Sequence, residues 1–141
     1  MKKVAMLLIA VVLMTGCKQT SKNQASDMGN QAVDPAQQTS ISFTEDHHDF
    51  GKVTDGEIVS YSYKFKNTGD KPLIISDVHA SCGCTTPNWA RDPIAPGQEG
   101  EIDVKFNSEG RVGMQEKLIT VTANTNPVQT ELHLFGEVVA K

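Results

Sequence analysis

The sequence is short of the residues that most often carry chemistry. Its 141 residues include three cysteines, four histidines and one tryptophan, and aromatic residues make up only 6% of the chain. It has no glycine-rich phosphate loop, no His-Glu metalloprotease helix and no serine nucleophile elbow. The usual signatures of nucleotide hydrolysis, zinc proteolysis and α/β-hydrolase chemistry are therefore absent. Lys and Arg never form a run longer than two, and acidic residues outnumber basic ones 17 to 13. A phosphate-backbone ligand needs a basic face, so nucleic acid is excluded as a partner. Carboxylate pairs such as Glu99/Glu101 and Glu45/Asp46 fall on turns and polar faces, where solvated surface is the expectation. His47 and His48 are adjacent on an extended segment, so they point to opposite faces and do not share an ion. No residue qualifies as catalytic, and the chain is not expected to be an enzyme.

Long apolar runs are also scarce. The longest, Val4 to Met14, covers about 11 residues, against roughly 20 for a bilayer-spanning helix. It follows the cationic start Met1-Lys2-Lys3 and leads through Thr15 and Gly16 into Cys17. Charge, apolar core and small residues in that order make a secretory signal, residues 1–16. Leu13-Met14-Thr15-Gly16-Cys17 resembles the bacterial lipobox, in which the cysteine is diacylated and becomes the mature N-terminus. Met14 departs from the usual Leu, Val or Ile. Cleavage there removes two of the 13 basic residues and none of the acidic ones, leaving 125 residues with a net charge of −6. That length supports one domain with a tail.

The tail is residues 17–40. Lys18 to Ser40 has almost nothing with which to order a backbone, so the lipidated cysteine is expected to be followed by a disordered tether. Its coil length is about 25–30 Å, and it extends to roughly 75–80 Å. No acidic cluster follows Cys17, which leans toward a lipid-anchored, periplasm-facing domain at the outer membrane rather than the inner membrane or cell surface.

From Ile41 to Lys141 the pattern is of strands and turns. Val59, Tyr61, Tyr63 and Phe65 alternate with Ser60, Ser62, Lys64 and Lys66, and Ile102, Val104 and Phe106 alternate with Glu101, Asp103 and Lys105. Such alternation puts large side chains on one face of a strand. Asn67-Thr68-Gly69-Asp70-Lys71-Pro72, Pro96-Gly97 and Asn126-Pro127 punctuate the strands. With Ile41–Phe43, Phe50–Val53, Leu73–Ala80, Lys117–Thr125 and Leu132–Val138 there are about seven strands. The fold class is all-β, an immunoglobulin-like antiparallel β-sandwich. Trp89 is expected either to cover one end of the sandwich or to present a binding surface, and burial is the ordinary fate of a lone tryptophan.

Cys82 and Cys84 remain, in Ala80-Ser81-Cys82-Gly83-Cys84-Thr85. An even pair in an oxidising compartment suggests a disulfide. In an extended strand the two Cα atoms would be about 6.5–7 Å apart, at or beyond the disulfide limit, although Gly83 can bend the backbone. Three readings stay open. The pair is a strained structural or redox-labile disulfide; or two thiolates hold a soft metal, Cu(I) or Zn(II), with His79 upstream as a third donor; or both are small buried apolar groups. No cation adjacent in sequence lowers a thiol pKa; Arg91 could approach only through folding.

Taken in order, Asp49-Phe50-Gly51-Lys52-Val53, Phe65-Lys66-Asn67-Thr68-Gly69, Ala80-Ser81-Cys82-Gly83-Cys84-Thr85, Trp89, Ile94-Ala95-Pro96-Gly97, Gly100, Val104-Lys105-Phe106, Lys117-Leu118-Ile119-Thr120-Val121 with Asn124, and Leu134-Phe135-Gly136 resemble the domain of unknown function 1573 family, common in exported proteins of Bacteroidetes. The resemblance covers about residues 42–137. It implies an immunoglobulin-like sandwich akin to modules of ciliary and centrosomal proteins, and it brings no catalytic assignment. The sequence thus predicts a membrane-anchored lipoprotein of the cell envelope whose domain is a non-catalytic binding or accessory module. Its partners would be the membrane, through the lipid, and an unidentified envelope protein. The alternative is thiol-disulfide or Cu(I) handling at Cys82-Gly83-Cys84. No other cofactor is expected.

Overall fold

Period-two alternation decides which side chains the strands bury. On β3 (Ile58–Asn67), Val59, Tyr63 and Phe65 are buried, while Ser60, Lys64 and Lys66 face solvent. On β6 (Glu99–Asn107), Ile102, Val104 and Phe106 are fully buried. These two strands pair antiparallel over nine residues, Ile58↔Asn107 to Lys66↔Glu99, and form the centre of one sheet. The computed structural model describes residues 35–141. The signal at 1–16, Cys17 and the tether up to residue 34 lie outside the described residues.

That sheet has the order β1-β3-β6-β5, with β1 at Ile41–Phe43 and β5 at Thr85–Trp89. The second sheet has the order β2-β8-β7-β4, formed by β2 (His47–Thr54), β8 (Gln129–Val139), β7 (Gly113–Ala123) and β4 (Ile75–Ala80). Ile119, Val121, Leu132, Leu134 and Val138 supply its side of the core. The result is an all-β, immunoglobulin-like sandwich. Eight strands form among the described residues rather than about seven. The extra one, β5, carries Pro87, a residue that argues against a strand in sequence and is tolerated only at an edge. One pair also departs from antiparallel: β2 runs parallel to β8, with a register break between Asp49 and Lys52.

Two polar ties hold the layers in place. Tyr63 donates its hydroxyl across the sandwich to the His133 carbonyl at 2.7 Å. Burial, reinforced by the nearby Tyr61 and the Glu45 and Asp46 carboxylates, raises the Tyr63 pKa well above the ordinary phenol range. Asn67 is fully buried at the end of β3. Its Oδ1 accepts from Thr39 Oγ1 at 2.9 Å and from the Gly69 amide at 3.1 Å. Its Nδ2 donates to the carbonyls of Lys71 at 2.7 Å and Ile94 at 2.9 Å. Every hydrogen-bonding position of the amide is used. Gly69 follows because a Cβ there would lie 2.2 Å from Thr39 Oγ1.

The described chain already has structure before the expected boundary at Ile41. A 3-10 turn spans Pro35–Gln37, Thr39 is buried, and its amide donates to the Asn124 carbonyl at 2.9 Å. Asn124 Nδ2 donates to the Gln37 carbonyl at 2.7 Å. The last residues assigned to the tether are thus part of the sandwich, held by side chains far away in sequence.

Candidate functional site

Cys82 and Cys84 lie in the turn that carries the chain from β4, in one sheet, to β5, in the other. The Thr85 amide donates to the Cys82 carbonyl at 3.2 Å, closing a tight turn over Gly83. The turn brings the two Cα atoms to 5.3 Å, and the cysteines are joined by a disulfide. An extended strand would have held them too far apart. The turn removes that difficulty, because neither cysteine belongs to a strand.

The flanking strands determine what surrounds the pair. The Asn107 amide donates to the Cys84 carbonyl at 2.9 Å, which registers Cys84 against the end of β6. One step along, Thr86 pairs with Lys105, and Lys105 pairs with Ser60 on β3. Ile58, Asn107 and Cys84 form the neighbouring row. Together with Glu109 and Arg111 beyond β6, these residues line a hollow of about 610 Å³ on the outer face of the sheet, with Cys84 in its wall. A second hollow of about 590 Å³ adjoins it, sharing Thr86 and Lys105 and continuing past Ser60, Ser62, Asn88 and Asp103. Ile58 is 67% exposed, unusual for an isoleucine in a strand. Beneath the disulfide lies the buried Thr85, whose Oγ1 is 3.7 Å from Cys82 Sγ and 3.8 Å from Cys84 Sγ.

The cations near Cys84 are therefore Lys105 and Arg111, not Arg91. Neither is visible as a neighbour in sequence; only the β5–β6 register brings them close. Arg91 instead lies 3.5 Å over the ring of Trp89. Trp89 is buried, and its indole N–H donates to the Ile75 carbonyl across the sandwich at 3.4 Å. Of the two expectations for Trp89, the structure has it packed in the core, with the Arg91 guanidinium over its ring.

His79 pairs with a neighbouring carboxylate in this structure. It is exposed, and its Nδ1 lies 2.9 Å from Asp77 Oδ2. The sulfurs, being bonded to one another, offer no thiolates in this form. Among the described residues no three His, Cys, Asp or Glu side chains converge as a metal site. His47 and His48 diverge as adjacent strand residues must. His47 stacks on His133 at 4.4 Å, and His48 stacks on Tyr61 at 3.4 Å. Tyr61 in turn donates to the Glu45 carboxylate, which raises the Tyr61 pKa.

The strand edges are unequal. β1 covers β3 only from Phe65 to Asn67, with one further bond from the Thr44 amide to the Lys64 carbonyl. Because Lys64 faces β1, the backbone groups of Ser62 and Ser60 face the same way. Among the described residues no strand pairs with them there. At the other edge, β5 presents Pro87, which has no N–H to offer.

A family model described as "Protein of unknown function (DUF1573)" matches residues 41–138, most of the described sandwich. The chain belongs to that family. No curated protein matches it closely enough to count as a relative. Among solved structures, the DUF1573 domain is similar to a protein of unknown function from Porphyromonas gingivalis W83, at 21% identity and a TM-score of 0.64. That match covers 75% of this chain and 50% of the other. It is also similar to the ASH/PapD-like domain 7 of human CEP192, at 12% identity, TM-score 0.57, covering 83% and 96%. A third similarity is to the secreted serine protease VesC from Vibrio cholerae, at 14% identity, TM-score 0.55, covering 72% and 24%. The chain thus spans half of the Porphyromonas protein and about a quarter of the protease. At these identities the likeness is one of fold, and an immunoglobulin-like fold by itself names no ligand.

Proposed function

We propose that this DUF1573 protein is a lipid-anchored accessory module of the bacterial cell envelope, attached through Cys17 and facing the periplasm from the outer membrane. It binds an extended segment of another envelope protein along the uncovered edge of β3. The half-paired β3 carries this reading. From Ile58 to Tyr63 the strand is fixed on one side by β6, while the outward N–H and C=O groups of Ser60 and Ser62 are free of strand partners among the described residues. Strand addition at such an edge supplies affinity through main-chain hydrogen bonds without needing a pocket. The opposite edge of this sheet is blocked by Pro87, so within it an added strand pairs at β3; β2 and β4 are the edges of the other sheet.

The test uses proline as an edge block. Ser60→Pro removes an N–H group that points away from β6; Ser62→Pro does the same but also gives up the Ser62 hydroxyl's bond to Asp103, so its melting temperature is measured alongside. A photo-crosslinking residue placed at position 64 in living cells is expected to give a discrete adduct that Ser62→Pro abolishes. An adduct that survives both proline variants would sink the edge reading. Anchoring is tested separately: Cys17→Ala should move the protein from the membrane fraction to the soluble one and end incorporation of labelled palmitate.

A further inference from the structure

We propose that the Cys82–Cys84 disulfide is an exchange site for a cysteine of an extended polypeptide segment lying in the hollow beside Cys84. This activity does not require strand pairing at the β3 edge, although the hollows share Ile58, Ser60 and Ser62 with that segment. Three observations lead to it. The disulfide sits on a turn whose Ser81 and Gly83 are exposed, and both cysteines are half-buried, Cys84 packing against the edge of the core. The hollow has Gly83 and Cys84 in its wall but not Cys82, which makes Cys84 the cysteine nearer an occupant. Lys105 and Arg111 outnumber the single anion Glu109 in that wall, so an incoming thiolate meets net positive charge.

The bonds balance as follows. A thiolate on the partner attacks Cys84 Sγ, forming a new disulfide there and breaking the Cys82–Cys84 bond. The electron pair leaves on Cys82 Sγ as a thiolate. Thr85 is placed to receive it: its buried hydroxyl contacts both sulfurs, and among the described residues it has no oxygen or nitrogen partner. It can turn its proton toward Cys82 as charge appears there, and a better-stabilised leaving thiolate departs faster. A second partner thiolate then attacks the partner's own sulfur in the mixed disulfide and expels Cys84 as a thiolate. The partner leaves oxidised, and the domain is left with two thiols. Thr85 is a positioning residue here, acting through Cys82.

The dimensions favour a polypeptide over a small thiol. Two adjoining hollows of about 610 and 590 Å³ run across three strands, far more space than a small thiol fills. The exposed Ile58 gives an apolar contact for a flanking side chain, and Lys105 and Arg111 suit an acidic residue beside the cysteine.

The experiment uses the oxidised full-length protein in detergent. The probes are a synthetic peptide with one cysteine between a glutamate and a leucine, and β-mercaptoethanol. Reactions are quenched with acid and the adduct is located by tandem mass spectrometry. The expected adduct is on Cys84, with the peptide reacting at least about ten times faster than β-mercaptoethanol at matched thiolate concentration. Lys105→Glu with Arg111→Glu should slow both thiolates, and the peptide, which carries a glutamate as well, by the larger factor, so that most of the preference is lost. Thr85→Val should slow exchange with both thiols at an unchanged melting temperature, and Thr85→Ser should restore it. Absence of any adduct, or an adduct on Cys82, overturns the exchange site. Equal rates for the two thiols overturn the polypeptide occupant.

Discussion

Replacing Asn67 by alanine should be among the most damaging single changes outside the apolar core, and the hydrogen bonds say how damaging. The carboxamide makes four bonds, but its loss does not strand every partner. The Lys71 carbonyl still accepts from Thr39 Oγ1 at 3.0 Å, and the Ile94 carbonyl still accepts from the Leu73 amide at 2.8 Å. Among the described residues the Gly69 amide has no such second partner, and leaving it orphaned costs about 1–3 kcal/mol. The cavity left by a fully buried side chain adds to this, for a total of roughly 2–4 kcal/mol. For a domain of this size that is a fall in melting temperature of roughly 10–25 °C. Urea unfolding of the full chain followed by Trp89 fluorescence, alongside thermal unfolding, measures it. Asn67→Asp should be at least as costly near neutral pH, since it sets a carboxylate against two carbonyl oxygens. Its pKa should rise, so the added cost should fade as pH drops below its folded pKa. A loss under about 1 kcal/mol for Asn67→Ala would refute the reasoning. So would additivity in a cycle with Thr39→Val, because side chains in direct contact should couple by about 0.5 kcal/mol or more.

Gly136→Ala should destabilise by about 1–3 kcal/mol, because the new methyl would lie 2.5 Å from the Phe50 ring and 2.6 Å from the Gly51 carbonyl oxygen; Phe50→Leu should recover part of that loss in a double variant. Tyr63 has a folded pKa above its unfolded value, so the stability it contributes is complete below about pH 10 and is lost as pH rises beyond that. Tyrosinate absorbance should therefore lag in the native protein, and Tyr63→Phe should flatten the alkaline decline in stability while costing about 1 kcal/mol near neutral pH. Ser108→Ala should cost about 1–2 kcal/mol, since its buried hydroxyl donates to the Glu57 carbonyl at 2.7 Å and accepts from the Gly56 amide at 3.1 Å. Unfolding curves that overlay the parent protein would contradict that assignment.

Much of the fold could be read from alternation alone. Val59 to Phe65 and Ile102 to Phe106 identify β3 and β6 without any tertiary knowledge, since a two-residue period admits one assignment of inside and outside. What escaped depended on register. β5 went unrecognised because Pro87 denies the local signal of a strand, and only the edge position beside β6 makes it tolerable. The cysteine geometry looked unfavourable because the residues were placed on extended backbone, whereas Thr85 and Cys82 close a turn. Lys105 and Arg111 could not be connected with Cys84 at all, because their proximity is created by the pairing of β5 with β6. Asn67 was legible only as a turn residue, since its role as the clasp for Thr39 joins positions 28 residues apart.

The ends of the sandwich are not equivalent. The chain enters beside Asn67, where Thr39 is held, and the Cys82-Gly83-Cys84 turn lies past the opposite end of β3 and β6. Nine paired residues separate the two, about 30 Å at strand rise. A lipid on Cys17 would make this length a stalk. Even with the entry end resting on the headgroups, the disulfide would stand clear of the bilayer surface. In that upright pose it would meet chains already in the aqueous compartment before it met thiols lying against the same membrane.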